Sequence, residues 1–525
     1  MLEQWFEKNK QIIRGVILTC IVAVCFLYGI YRLYNMDNLG RMRSVILALF
    51  IGATILVILY IGIIQILAYG KKAVKPEKLF VISTIVLALG YMVFFAPVKV
   101  PDEQLHYASA YRISNFMLFQ WDQANTDEVL MRACDSDFYS IHAPYGKMTG
   151  DSYASLVENF HFFAGDTSRV SYDTVYSGSV PWGYLASAFG IAVGRLLHLG
   201  AIPVFYLGRM LNIAQYCILL YIAMKRAPMM KGALIAMSAF PMTLHLIASY
   251  SYDGVCIGLS ALFVAEVVRM IYGEDISWKQ IIYSAVLAVL IAPNKLVYTP
   301  ILFMILLVPN EKLKKLWKHP VILKLGILGV GVLALLAIQL PTMLGYTGTE
   351  TATAYVAWAE EEGYTLSWAL AHPQGTLRVY LHTFLVKTDY YLTTMLGSSL
   401  GWFQFDLPMF LYLPFGIFFL LACFRKKGEP EAISYGAKIW IVLLILASAM
   451  LIITSMFLSW TPISFDVIQG VQGRYFLPLL PAGWILIRNR LLETDQQLDR
   501  HILVLSGAWN LCVLLYCSIG FFSGI

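Results

Sequence analysis

Long apolar runs, separated by short loops rich in lysine and arginine, set the pattern of this chain. Runs at roughly 12–34, 44–69, 79–96, 204–224, 233–251, 252–272, 279–293, 297–308, 320–341, 408–424, 437–458, 474–488 and 502–522 predict about thirteen membrane spans, since crossing the hydrocarbon core takes about 20 apolar residues. The runs 279–293 and 297–308 fall short of that length and are expected to be longer, broken or buried in the bundle. The runs are also unbroken by the period-two alternation of a membrane barrel. The expected fold class is all-α, a polytopic transmembrane helix bundle.

The cations fall in alternate loops: Lys71, Lys72, Lys75 and Lys78, then Lys225, Arg226 and Lys231, then Lys312, Lys314, Lys315 and Lys318, then Arg425, Lys426 and Lys427, then Arg488 and Arg490. Positive charge marks cytoplasmic turns, so the intervening loops face outward. Two outer loops are large, about 97–203 and 342–407. In the first, WGYLASAFGIAVGRLLHLG from Trp182 is apolar enough to span, yet a span there would throw every later basic loop outside. It reads instead as a helix at the outer interface, with Trp182, Tyr184, Arg195 and His198 suited to the headgroup zone. In the second loop Leu377, Tyr380, Leu381, Phe384, Leu385, Leu392 and Met395 form a helical apolar stripe, while Arg378, Lys387 and Asp389 argue against a span. The first apolar run is too long for a cleaved signal and reads as a signal anchor. With no internal repeat or linker, residues 1–78 form an N-terminal pair of spans and 79–525 one membrane domain with outer elaborations.

Composition agrees: 59% of the 525 residues are hydrophobic and only 13% charged. The net charge of +6 lies in loops between spans, so no nucleic-acid partner is expected. Of eight cysteines only Cys134 lies in an outer loop, so neither a disulfide framework nor a cysteine metal site is expected.

Candidate chemistry begins at Asp102 and Glu103 in VKVPDEQLHYASAYR, directly after the third run. Acids at the mouth of an apolar bundle bind a cation or take a proton, although Asp102 after Pro101 is also a natural helix cap. His106 and Arg112 on the same segment are candidate substrate-binding residues. Asp253, in FPMTLHLIASYSYDGVCIG, falls on the same side, with a plain turn aspartate as the competing reading. His245 reads as a buried, hydrogen-bonded histidine. Lys295, in IAPNKLVYTP, either snorkels to the interface or meets an anionic group such as a lipid phosphate. Finally, FDVIQGVQGRYFLPLLPAGW gathers Gln472, Arg474 and Tyr475 beside two glycines that would let backbone approach a ligand. Arginine grips phosphate oxygens in a bidentate fork, though an anchor at the headgroups would also use one.

PDEQLHYASAYR, FPMTLHLIASYSYDG, PNKLVYTP, HPQGTLRVYLHTF and GVQGRYFLPLLP, in that order, resemble the bacterial family called domain of unknown function 2142, from about Ala96 to the C-terminus. That family in turn resembles the GT-C superfamily of membrane glycosyltransferases, whose catalytic acid lies in the first large outer loop and whose donors are polyprenyl-phosphate sugars. By position the resemblance puts the catalytic acid at Asp102, with Glu103 as its neighbour. Two extra spans precede the motif here, beyond the single one of the superfamily pattern.

The expected function is therefore transfer of a sugar from a polyprenyl-phosphate donor to a cell-surface glycan or polymer, at the outer face of a bacterial cytoplasmic membrane. Asp102 would act as base, while Lys295 and Arg474 hold the departing phosphate. The cofactor stays open, since two adjacent acids allow a divalent cation without requiring one. The alternatives are a transporter or flippase for lipid-linked glycans and a noncatalytic scaffold in polysaccharide assembly. Transport would favour ionisable residues buried along several spans and pseudo-symmetric halves, which the sequence does not display.

Overall fold

The computed structural model describes residues 2–523 apart from 36–42, 71, 122–127, 143–145, 174–180, 348–354, 432, 490–491 and 496. Lys71 and Arg490 thus lie outside the described residues. Twelve helices carry the argument here: α1 (Leu2–Tyr34), α2 (Arg43–Tyr69), α3 (Pro76–Phe94), α4 (Glu103–Met117), α5 (Leu185–Leu196), α6 (Ala201–Arg226), α7 (Asp253–Tyr272), α8 (Trp278–Asn294), α9 (Pro320–Thr347), α10 (Pro373–Leu396), α11 (Tyr435–Trp460) and α12 (Leu498–Ser523).

Among the described residues, eight helices are long and apolar enough to cross a bilayer, or nine if one bent pair is a single span, against the thirteen runs seen in sequence. Proline accounts for much of the difference, because it removes a backbone donor and clashes with the preceding turn. Pro241 opens the second half of a pair, Pro228–Ser238 and Pro241–Ile247, bent by 84°. Leu296–Leu307, with Pro300 inside, winds as a 3-10 helix, and so does Gly473–Leu479, with Pro478 inside. Met409–Ala422 is only 14 residues long and α8 only 17. The chain also holds a little sheet that the helical periodicities did not predict: Glu128–Arg132 pairs antiparallel with Arg169–Asp173 in the first outer loop.

The basic turns meet at one end of the bundle. Lys225 and Lys231 both approach Glu77 at the start of α3, Arg226 bonds Glu266 near the end of α7, Lys426 bonds Asp499 at the start of α12, and Arg488 bonds Glu429. Because α3 runs away from that end and α7 runs toward it, Asp102 and Asp253 lie at the other. The core between the ends is apolar, with α7 buried on nearly every side.

The segment from Trp182 is not a span, in line with its sequence; of the residues expected at the headgroups His198 is exposed and Trp182 half-buried, but the other two turn inward. Tyr184 is buried, and Arg195 is enclosed by Ser114 Oγ at 2.8 Å, Asn115 Oδ1 at 2.7 Å and Gln120 Oε1 at 2.7 Å. It pins α5 to the end of α4, so its charge serves internal packing. The stripe on α10 splits: Leu377, Leu381, Phe384, Leu385 and Leu392 stay exposed, while Tyr380 and Met395 pack inward.

Candidate functional site

The site is hung on the short connection between α3 and α4. Val98 and Asp102 there adopt left-handed backbone at φ 62° and 64°, a conformation costly for side chains with a Cβ unless the surroundings enforce it. Arg209 of α6 supplies the enforcement. Fully buried, it donates to the carbonyls of Met92, Phe95 and Ala96 at the end of α3, at 3.0, 2.7 and 3.2 Å. These are the carbonyls a helix leaves unpaired at its C-terminus, where positive charge is favoured. The same guanidinium grips Glu103 in a fork, Nε to Oε1 at 2.8 Å and Nη2 to Oε2 at 2.6 Å. The backbone N–H groups of Val98 and Tyr250 complete the carboxylate's shell. Glu103 therefore does not share the position of Asp102. With both oxygens occupied and no surface exposed, it anchors the loop, and the adjacent pair of acids does not converge on a common point.

Asp102 stands at the cap position of α4, yet its side chain makes no capping bond. Its carboxylate accepts instead from Arg474 Nη2 at 2.5 Å. Arg474 is 3% exposed, reaches Asp253 at 3.9 Å through Nε, and has no hydrogen-bond acceptor for that Nε–H. Lys295 lies 3.5 Å from Asp253, with its ammonium 4.4 Å from the ring centre of Tyr475 and 5.4 Å from that of Tyr252. Both cations stand near the start of a 3-10 segment, Lys295 just before one and Arg474 as the second residue of the other, and Tyr298 Oη donates to the Tyr475 carbonyl to bind those segments together. Asp102, Asp253, Lys295, Arg474, His106 and Tyr475 all line one cavity of ≈160 Å³, walled on its remaining side by Ile452 and Met456 of α11.

Burial tends to raise the Asp102 carboxyl, but the Arg474 guanidinium, with help from Lys295, outweighs it and leaves the group below its ordinary value. Burial has the opposite consequence for His106, which is pushed down to about 4 and stays neutral, with Nδ1 2.8 Å from the Tyr184 hydroxyl. His245 is indeed buried, accepting from the Gly401 N–H at 3.3 Å. Among the described residues no three His, Cys, Asp or Glu side chains stand together as a metal-ligand set.

A second cavity, of ≈650 Å³, meets the first at Asp102, Met456 and Tyr475. Gln472 lines it, but Arg112 lines neither cavity. The two glycines anticipated beside a ligand do different work. A Cβ on Gly473 would sit 2.2 Å from the Met395 backbone nitrogen, so this residue lets the chain lie against α10. Gly470, at φ 79°, borders the larger cavity and leaves room for the Trp460 indole.

Sequence reasoning missed Arg209, Tyr252 and the aromatic wall of the larger cavity. Arg209 did carry a signal, since an arginine inside the run YLGRMLNIAQY is costly unless paired. The aromatic residues carried none, being common at membrane interfaces.

The family described as "Predicted membrane protein (DUF2142)" matches residues 85–482. No curated protein and no solved structure matches the chain.

Proposed function

The chain belongs to that family of predicted membrane proteins, and from its site we propose a membrane glycosyltransferase of GT-C type that moves a sugar from a polyprenyl-phosphate donor to a surface glycan or polymer. The observation that carries the reading is the single cavity holding Asp102 against Arg474 and Lys295, at the end of the bundle opposite the basic turns. By positive-inside counting that end faces outward, where lipid-linked sugars are used.

In this mechanism the donor phosphate enters beside Lys295 and Arg474, where the unpaired Nε–H of Arg474 offers a ready donor. An anion there competes with Asp102 for the guanidinium. As Arg474 turns toward phosphate, the Asp102 carboxylate loses the partner that depressed its basicity and becomes a better base. The acceptor hydroxyl oxygen then attacks the anomeric carbon while its proton passes to Asp102. The bond from that carbon to the phosphate oxygen breaks, its electron pair leaving with the lipid phosphate, whose growing charge the two cations stabilise. His106, held neutral, adds no competing charge. Glu103 and Arg209 position the loop that carries the base.

The extra N-terminal pair fits this picture, because α1 and α2 lie before the residues matched by the family. The test is incubation of purified protein in lipid with radiolabelled polyprenyl-phosphate sugars and extracted wall polymer, with Asp102→Asn as control. Label reaching the polymer only with the wild type supports transfer. Lipid-linked sugar that crosses the bilayer unchanged would instead identify a flippase.

A further inference from the structure

Resting on that reading, we propose that the larger cavity is the acceptor subsite and that its ligand is a glycan bearing an anionic group. Its volume, ≈650 Å³, lies within the range of small-ligand sites, whereas the ≈160 Å³ cavity beside it suits a compact group such as phosphate. Tyr390, Trp402 and Trp460 line its walls. Flat aromatic faces pack against the C–H faces of sugar rings, and a polar rim then satisfies the ring hydroxyls. The Gln472 amide supplies part of that rim. Tyr391, a lining residue only 6% exposed, carries a buried hydroxyl that has no hydrogen-bond partner. A buried hydroxyl left unpaired is destabilising, and a bound sugar hydroxyl would satisfy it.

Charge selects within the class of glycans. Lys387 is the lining cation, held at the wall with its ammonium 5.5 Å from the Tyr390 ring centre. The other charged lining residue, Asp102, already has its charge taken by Arg474. A carboxylate or phosphate on the glycan would meet Lys387, while a ring hydroxyl points to the junction of the two cavities at Asp102.

The experiment uses wild-type protein in lipid nanodiscs, with no donor present, titrated calorimetrically with tetragalacturonate, maltotetraose 1-phosphate and maltotetraose. Both anionic probes should bind about tenfold more tightly than the neutral one, the scale of one charge-assisted hydrogen bond. The tighter of the two identifies carboxylate or phosphate as the favoured group. Lys387→Gln should abolish the preference and Lys387→Arg should keep it. Equal affinity for all three probes, or a preference that survives Lys387→Gln, overturns the anionic assignment. No saturable binding by any probe overturns the subsite. Glycan binding without any sugar transfer in the radiolabel assay would leave the anionic-glycan site standing and remove the transferase reading, and with it the acceptor role.

Discussion

Arg474 donates to Asp102 at 2.5 Å although 372 positions separate them in the chain. The pair joins the first large outer loop to the start of a late 3-10 segment, so one bond links two walls of the cavity and holds its acid below the ordinary carboxyl value. Replacing Asp102 by Asn keeps the shape and leaves Arg474 an acceptor, but removes the base. Transfer should fall by ~10²- to 10⁴-fold with folded yield preserved. Turnover at the wild-type rate would take Asp102 out of the mechanism.

Arg474→Lys separates a phosphate grip from simple charge. Lysine keeps the cation but loses the planar fork, and it cannot face Asp102, Asp253 and a phosphate in one geometry. Turnover should fall along with donor affinity, because the contact strengthens as the phosphate leaves. Lys295→Gln should act in the same direction. Steady-state kinetics near wild type in both variants would refute the phosphate site.

His106 gives a pH signature. Its folded pKa is about 4 and its ordinary value 6.5, so between those values the unfolded chain binds the extra proton. The neutral ring's contribution to stability is thus complete above the ordinary value and is lost as pH falls toward the folded one, by up to about tenfold in the unfolding equilibrium per pH unit. The melting temperatures of wild type and His106→Asn should therefore diverge differently at pH 4.5 and pH 7.5. A constant gap across that range would show that His106 does not titrate on unfolding.

Glu103→Gln probes anchoring instead of chemistry. It leaves the fully buried Arg209 with an uncompensated charge, a change that costs about 3–5 kcal/mol where buried pairs are broken. The variant should melt markedly lower in detergent, while its folded fraction keeps turnover within a few-fold of wild type. Unchanged melting with lost activity would return Glu103 to the catalytic group.

The orientation is open to labelling. In a cysteine-free background, single cysteines replacing Trp121 and Trp358, both well exposed, should react with an impermeant thiol reagent added to intact cells. Cysteines replacing Lys315 and Lys427 should not, by positive-inside counting. Reaction at position 315 would invert the map.

Much of this architecture is legible along the chain because burial in a bilayer writes itself as uninterrupted apolar runs, and eight of those runs are helices of spanning length. The remaining runs mislead because proline within or beside them shortens or bends the helix without changing hydropathy. Asp102, Asp253, Lys295 and Arg474 stood out as charges at one end, and they do share a cavity. Their pairing was not legible. Nothing local says that Glu103 turns to Arg209 while its neighbour turns to Arg474, since the left-handed backbone at Asp102 that parts the two side chains is imposed from a distant helix.

The Arg209 clasp on Glu103 also sets a timetable for biogenesis. Its two halves lie 106 residues apart, so the loop carrying Asp102 leaves the ribosome long before the residue that gives it shape. Until α6 has been inserted, Glu103 is a bare acid beside a half-built bundle, and α3 ends in open carbonyls. A nascent chain halted before residue 209 lacks the partner of Glu103, and one halted before residue 474 lacks the partner of Asp102. The candidate cavity is thus completed only late in synthesis.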